Sequence, residues 1–369
     1  MSTILEIDNL AISFNHGAKP VVRGVCLRLK AGEIVGLVGE SGSGKSISAL
    51  SLMGLLPSSA RLDSGEFHFK GQNLNALSPA ERRRLCGTHL GMVFQEPLTA
   101  LNPVLTIGEQ VAEVYRLRAG YSRHQAWKAA VEMLARVGLS NPAEAARNYP
   151  HRFSGGMRQR VVIAMALALA PEVLVADEPT TALDPTIAAQ ILALLARLTA
   201  ANNNLEKDAA PRASEAFAPS SRGSTVLFIT HNLRLLTGLA QRVLVMYTGL
   251  VVEEAGVPEI FTHPAHPYTQ GLLKALPPAL SEPAPERLKA IGGTPPVPGQ
   301  WPPGCPFEPR CERAFTPCRL SLPPLFNLGG GHLARCFLYS REEKRSGRPE
   351  ALTDQPTDLN GAKHRSGGE

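Results

Sequence analysis

Eight consecutive residues, Gly39-Glu40-Ser41-Gly42-Ser43-Gly44-Lys45-Ser46, set glycines among small polar residues and end on a lysine and a hydroxyl. Glycines lack a Cβ, so successive backbone N–H groups can close round an anion without steric clash. A short aliphatic run, Ile34–Val38, precedes the loop, and a helical run, Ile47 to Leu56, follows it. A strand feeding a glycine loop that opens a helix brings the positive end of the helix dipole to bear on the same anion. In that setting Lys45 is expected to reach β- and γ-phosphates and the Ser46 hydroxyl to ligate Mg²⁺. The chemistry implied is binding of Mg·ATP, with Gly39, Glu40, Ser41, Gly42, Ser43 and Gly44 cradling the phosphates.

A second aliphatic run, Val173-Leu-Val-Ala-Asp177-Glu178, ends in two acids. A phosphate loop needs an acid on a neighbouring strand to hold Mg²⁺, and Asp177 fits that role. Glu178 lies one residue further on, where a carboxylate is placed to take a proton from an attacking water. Hydrolysis, and not only binding, is the expected consequence.

The segment Phe153-Ser154-Gly155-Gly156-Met157-Arg158-Gln159-Arg160 shortly before that strand resembles the signature motif of ATP-binding cassette (ABC) ATPases. Other elements of that family follow the same order. Gln95, after Val93-Phe94, matches the glutamine of the Q-loop. Ala182-Leu183-Asp184 matches the D-loop, and His231 the switch histidine. Phe14 stands where the family places an aromatic that stacks on adenine. The resemblance covers about residues 4–275 and implies a role for each residue. Gln95 meets Mg²⁺ or the attacking water, and His231 bonds the γ-phosphate and that water. Ser154, Gly155 and Gly156 open a helix whose N–H groups face the γ-phosphate bound by a partner cassette. Asn232 follows His231 where the family usually has Asp.

Around these residues the chain must supply a scaffold. Ile34–Val38, Val173–Ala176, Thr225–Ile229 and Val243–Tyr247 are short aliphatic runs bounded by polar or turn residues, the pattern of buried parallel strands in an α/β domain. Between Ile107 and Gly138 apolar residues recur every three or four positions instead, which predicts an inserted helical subdomain. The expected organisation is an α/β cassette over 1–262, with an antiparallel β subdomain as the resemblance implies and a helical subdomain at about 96–160. An extension over 263–339 and a disordered tail at 340–369 follow. Asn202–Ser224, polar and rich in Ala, Ser and Pro, is expected to be a disordered surface loop.

Four of the six cysteines, Cys305, Cys311, Cys318 and Cys336, gather near the end as C-x5-C-x6-C-x17-C. In a chain of cytosolic character such a cluster reads as a metal or cofactor site before it reads as disulfides. The spacing fits structural zinc poorly, since zinc favours closer pairs. Four thiolates suit a [4Fe–4S] cluster, and zinc and free thiols remain as alternatives. His332 is a spare ligand or a surface histidine.

Gln95-Glu-Pro-Leu-Thr-Ala-Leu-Asn-Pro103, His263-Pro-Ala-His-Pro-Tyr-Thr269 and the cysteine pattern all resemble the oligopeptide/dipeptide permease ATPases. That resemblance implies a subunit powering import of di- or oligopeptides, with a nickel-type metal importer as alternative. It implies a second cassette (a paralogue, or an identical copy), two membrane permease subunits and an extracytoplasmic substrate-binding protein. The place expected is the cytoplasmic face of the inner membrane, held peripherally. The net charge of +6 is mild and its Lys and Arg are scattered, so no nucleic-acid partner is expected. Only 58 residues separate Gln95 from Ser154, too few for the long coiled coil of soluble cassettes that act on ribosomes or DNA. No run reaches the ~18–20 apolar residues of a membrane span; Val161 to Ala170 stops at Pro171.

Overall fold

The computed structural model describes residues 2–14, 20–181, 183–200, 223–276 and 290–340. The insertion expected to be a loop and the tail after Ser340 lie almost wholly outside them. The described strands, in chain order, are β1 (Thr3–Phe14), β2 (Val22–Lys30), β3 (Ile34–Val38), β4 (Ala60–Phe69), β5 (Gln72–Asn73) and β6 (Leu90–Val93). They continue as β7 (Val173–Asp177), β8 (Thr225–Thr230), β9 (Arg242–Tyr247), β10 (Leu250–Gly256), β11 (Phe326–Gly329) and β12 (His332–Ala334). An eight-stranded sheet runs β11-β12-β10-β9-β3-β8-β7-β6, and a four-stranded antiparallel sheet runs β2-β1-β4-β5.

β6, β7, β8, β3 and β9 are mutually parallel. Every residue of β7 and β8 is buried, as expected of central strands covered on both faces. Side chains still alternate between the faces. Leu174, Ala176, Val226, Phe228, Val243 and Val245 pack into one apolar cluster with the helical segment. Val173, Val175, Leu227, Ile229, Leu244 and Met246 pack into the other with β1, β2 and β4. The period of two therefore decides which layer each residue holds.

Between β6 and β7 the described residues contain helices and no strand, among them Ile107–Ala119, Arg123–Arg136 and Gly155–Leu167. Local chemistry sets their ends. Thr106 caps the first, accepting from Glu109 N, and Gly120 closes it at φ 68°. Ser122 and Gln125 cap the second reciprocally.

The extension does not stand apart from the cassette. Its hairpin, β11 and β12, adds to the edge of the large sheet, with Glu253 of β10 opposite Ala334 of β12. Glu253 is fully buried and accepts from the N–H groups of Ala265 (2.6 Å) and His266 (2.8 Å) and from His332 Nε2 (2.8 Å). His332 is thus neither a surface histidine nor a member of the thiol cluster: it is 7% exposed and ties the hairpin to β10. Its other ring nitrogen faces Glu259 at 3.8 Å. A hydrophobic neighbourhood would have left this ring without a partner, so burial follows from the carboxylate and not from the ring itself.

Burial alone would raise the Glu253 carboxyl. The His332 ring and the two backbone donors outweigh burial and hold it below its ordinary value of 4.5. The native state then binds fewer protons here than the unfolded one. The contribution to stability is complete above about pH 4.5 and is lost as pH falls through the depressed native value. Glu253→Gln should cost about 2–4 kcal/mol at pH 7, because it leaves buried donors poorly paired. Thermal denaturation should show the gap to wild type narrowing below pH 4.5; a gap independent of pH would contradict this.

Candidate functional site

The strand register sets the site. Val38 pairs with Thr230, Asp177 with Ile229 and Val93 with Ala176, so β3, β8, β7 and β6 end at nearly one level. The loop after β3, the acids ending β7, His231 after β8 and Gln95 after β6 therefore open on one edge. Ligands of open parallel sheets bind beyond the carboxyl ends of the strands.

Gly39 follows β3 directly, and a Cβ there would lie 2.1 Å from the Met246 carbonyl oxygen, so only glycine permits the approach. Gly44 has φ 101° and opens the helix Lys45–Leu52, shorter at its end than the run expected to Leu56. Lys45 is 4% exposed, and its Nζ donates to the carbonyls of Gly39 (2.8 Å) and Glu40 (3.0 Å). Burial lowers its pKa, and Glu178, Asp177 and Glu40 work against that shift. Ser46 Oγ donates to Asp177 Oδ1 at 3.0 Å, which brings both expected Mg²⁺ partners together. Burial raises the Asp177 carboxyl, and the Ser46 hydrogen bond offsets this only in part. A divalent cation at this point would relieve the desolvation of that carboxylate.

Glu178 has φ 43°, a left-handed backbone that a glutamate adopts at a cost of about 1 kcal/mol. Its N–H donates to Ile229 O at 3.0 Å, which anchors the turn to β8. The carboxylate oxygen Oε2 meets Thr181 Oγ1 at 2.8 Å, His231 Nδ1 at 3.1 Å and Gln95 Nε2 at 3.5 Å. Strain of this kind, held by four contacts, is characteristic of functional turns. Asn232 takes up a local duty: its Oδ1 accepts from Arg234 N at 3.0 Å and caps the turn Leu233–Leu236.

A cleft of about 590 Å³ is lined by Phe14, Val21, Ser41, Gly42, Gly44, Lys45, Ser46, Ile47, Gln95, Glu178 and Pro298. Such a volume lies within the range of small-ligand sites. Ser154, Gly155 and Gly156 do not line it. Ser154 caps the helix Gly155–Leu167 through Met157 N at 3.4 Å, and Gly156 packs against Ile187. The expected signature segment and the phosphate loop are thus separate surfaces of one chain. Of the D-loop residues, Asp184 caps the following helix through Ile187 N at 3.0 Å, and Ala182 lies outside the described residues.

Cys305, Cys311, Cys318 and Cys336 line one small pocket with His266, Phe307, Pro323 and Phe337. Burial pushes the Cys305 thiol up to about 12 and Cys336 to about 11, so without a metal both are protonated at neutral pH. The donor chemistry suits thiolate ligation. Even so, among the described residues no group of three or more His, Cys, Asp or Glu is arranged to hold a metal ion.

Several residues at the site lie outside the recognisable motifs. Tyr268 Oη accepts from Glu40 N at 2.8 Å, Arg310 pairs with the Glu40 carboxylate, and Pro298 forms part of the cleft wall. The segment His263–Thr269, which carries Tyr268, and the cysteine pattern beside Arg310 are visible in the sequence as subfamily markers only. Nothing in their spacing says that they fold back across more than 200 residues onto the loop.

Residues 22–181 match the model for ABC transporters, and residues 252–318 match that for the C-terminal region of oligopeptide/dipeptide transporters. The oligopeptide transport ATP-binding protein AppD of Bacillus subtilis is 44% identical over 345 residues, covering 93% of this chain and 98% of that protein. The dipeptide transport ATP-binding protein DppD of Escherichia coli is 40% identical over 350 residues, covering 94% and 99%. Among solved structures, a dimeric post-hydrolysis state of the cassette MJ0796 bound to ADP and Pi matches with TM-score 0.56 and 28% identity, covering 69% of this chain and 99% of that one. With both its cassette and its extension matched, the chain belongs to the ABC transporter family, in the branch of oligopeptide and dipeptide transport ATP-binding proteins.

Proposed function

We propose that this chain binds and hydrolyses Mg·ATP to power import of di- or oligopeptides across the cytoplasmic membrane. The observation that carries the reading is the convergence of Lys45, Ser46, Asp177, Glu178, Gln95 and His231 at one strand edge, on a chain whose extension is of the peptide-transporter type. The chemistry assigned to each follows from its contacts. Lys45 exchanges the carbonyls of Gly39 and Glu40 for the β- and γ-phosphates. Ser46 and Asp177 hold Mg²⁺, which supplies charge neutralisation on the phosphate oxygens. Glu178 takes the proton of the attacking water. His231 and Gln95 orient that carboxylate and the water, and Phe14 faces the adenine. Ser154, Gly155 and Gly156 serve the nucleotide of a second cassette, which fits a cleft lined by other residues of this chain.

The likeness to peptide transporters supports the remaining partners. Two cassettes, paralogous or identical, close on ATP beneath two permease subunits, and an extracytoplasmic binding protein delivers the peptide. No helix among the described residues is long and apolar enough to cross a membrane, so attachment through the permease subunits at the cytoplasmic face is the reading we adopt. We further propose that the four pocket thiols hold an iron–sulfur cluster; their gathering in one pocket is what supports it.

Glu178→Gln should keep ATP affinity within about threefold and lower turnover by 10²- to 10⁴-fold, the usual range for loss of a general base. Steady-state hydrolysis beside nucleotide titration checks this, and turnover near wild type would remove Glu178 from the role. Protein purified anaerobically should carry about four iron and four labile sulfide per chain. A colourless, metal-free preparation would contradict the cluster.

A further inference from the structure

Every polar group of Glu40, the second residue of the loop, is committed. Its N–H donates to Tyr268 Oη at 2.8 Å, and its carbonyl accepts from Lys45 Nζ at 3.0 Å. Its carboxylate receives both arms of Arg310, Nη1 to Oε2 at 2.8 Å and Nη2 to Oε1 at 3.1 Å. The same guanidinium donates to Tyr247 Oη at 3.2 Å and, through Nε, to Gly292 O at 2.8 Å. It lies 5.8 and 5.9 Å from the ring centres of Tyr247 and Phe307. The Arg310 side chain is 4% exposed, whereas Glu40 keeps 25% of its side chain open. A two-pronged contact of this kind fixes direction as well as distance.

Glu40 lines a pocket next to the cleft, and the two share Ser41, Gly42 and Pro298. Without its partner, Glu40 would set an unpaired carboxylate beside a loop meant for a triphosphate, where like charges repel at close range. The extension also braces the neighbouring wall. Trp301 Nε1 donates to Pro20 O at 2.8 Å, and Arg23 lies 4.6 Å over its ring. We propose that Arg310 is a positioning residue for nucleotide binding: it cancels the Glu40 charge and holds the phosphate loop in its binding shape. The extension thereby sets the affinity of the cassette for ATP. Because Cys311 directly follows Arg310 at the end of the turn Glu308–Arg310, a cysteine of the thiol pocket and the residue that grips the loop sit side by side on the backbone. The inference rests on the reading of residues 39–46 as the phosphate-binding loop.

The test uses the full chain and Mg·ATP displacing a fluorescent ATP analogue. Arg310→Met should weaken ATP binding roughly 3- to 30-fold, the span of coupling through a contact that does not touch ligand. Arg310→Lys, which keeps charge but loses the fork, should fall between Met and wild type. The double variant Glu40→Gln with Arg310→Met should bind ATP more tightly than Arg310→Met alone, a rescue that a merely structural role would not give. Wild-type affinity in Arg310→Met, or a double variant as weak as the single one, overturns the proposal. Should Arg310→Met fail to fold, Arg310→Lys decides, and an unchanged affinity overturns it. Lys45→Ala separates the two readings. If it binds ATP like wild type, the loop assignment itself fails. If it loses ATP while the Arg310 variants do not, only the role of Arg310 fails.

Discussion

The hydrogen-bond register across β3, β8 and β7 brings the ends of three strands level, and the reactive groups are attached just beyond those ends. Asp177 is the last residue of β7, and Glu178 is turned by a left-handed backbone held by the Ile229 carbonyl. A slip of one residue in either pairing would send Asp177 to the opposite face of the sheet and break the contact with Ser46. The two apolar clusters secure the register, because β7 and β8 bury alternate residues into different layers and any shift would exchange them. Packing on both faces thus has a chemical consequence at a distance, by fixing where the carboxylates emerge.

The contacts around Glu178 show how strain and polarity cooperate. One carboxylate oxygen collects a threonine, a histidine and a glutamine from three different loops. None of these contacts is strong alone; together they hold a side chain on a backbone that would otherwise relax. Lys45 shows the complementary case. Buried and turned back on two carbonyls, it keeps its charge satisfied by the loop's own backbone.

Much of this arrangement is legible in the amino-acid sequence. The loop Gly39–Ser46 announces itself because glycine, lysine and serine each have a separate physical reason to stand at a fixed spacing. β3, β7, β8 and β9 are legible because doubly covered strands are aliphatic throughout. The antiparallel strands β1, β2 and β4 are expected only through the family resemblance, since half-exposed strands with bulges blur the alternation. The burial of His332 and the reach of Tyr268 and Arg310 are not legible at all. Each depends on a contact between segments 79 to 270 residues apart, and no local pattern encodes such a meeting. The same holds for the hairpin β11–β12, whose strands of four and three residues are too short to show a period and take their place through the pairing of β12 with the edge of β10.

The loop Gly39–Ser46 lines the cleft, and the segment opening the helix Gly155–Leu167 does not; on the proposed reading the two serve different nucleotides. The extension lends Pro298 to the cleft wall and joins the main sheet, so the part matched to peptide transporters is structurally continuous with the part matched to the cassette. ATP hydrolysis in such a chain is harnessed to peptide import. The most direct measurement is ATP hydrolysis by the complete transporter in proteoliposomes, with and without peptide-loaded binding protein. Peptide should raise the rate and should enter only when ATP is hydrolysed. A rate indifferent to peptide, or peptide uptake without ATP, would contradict it.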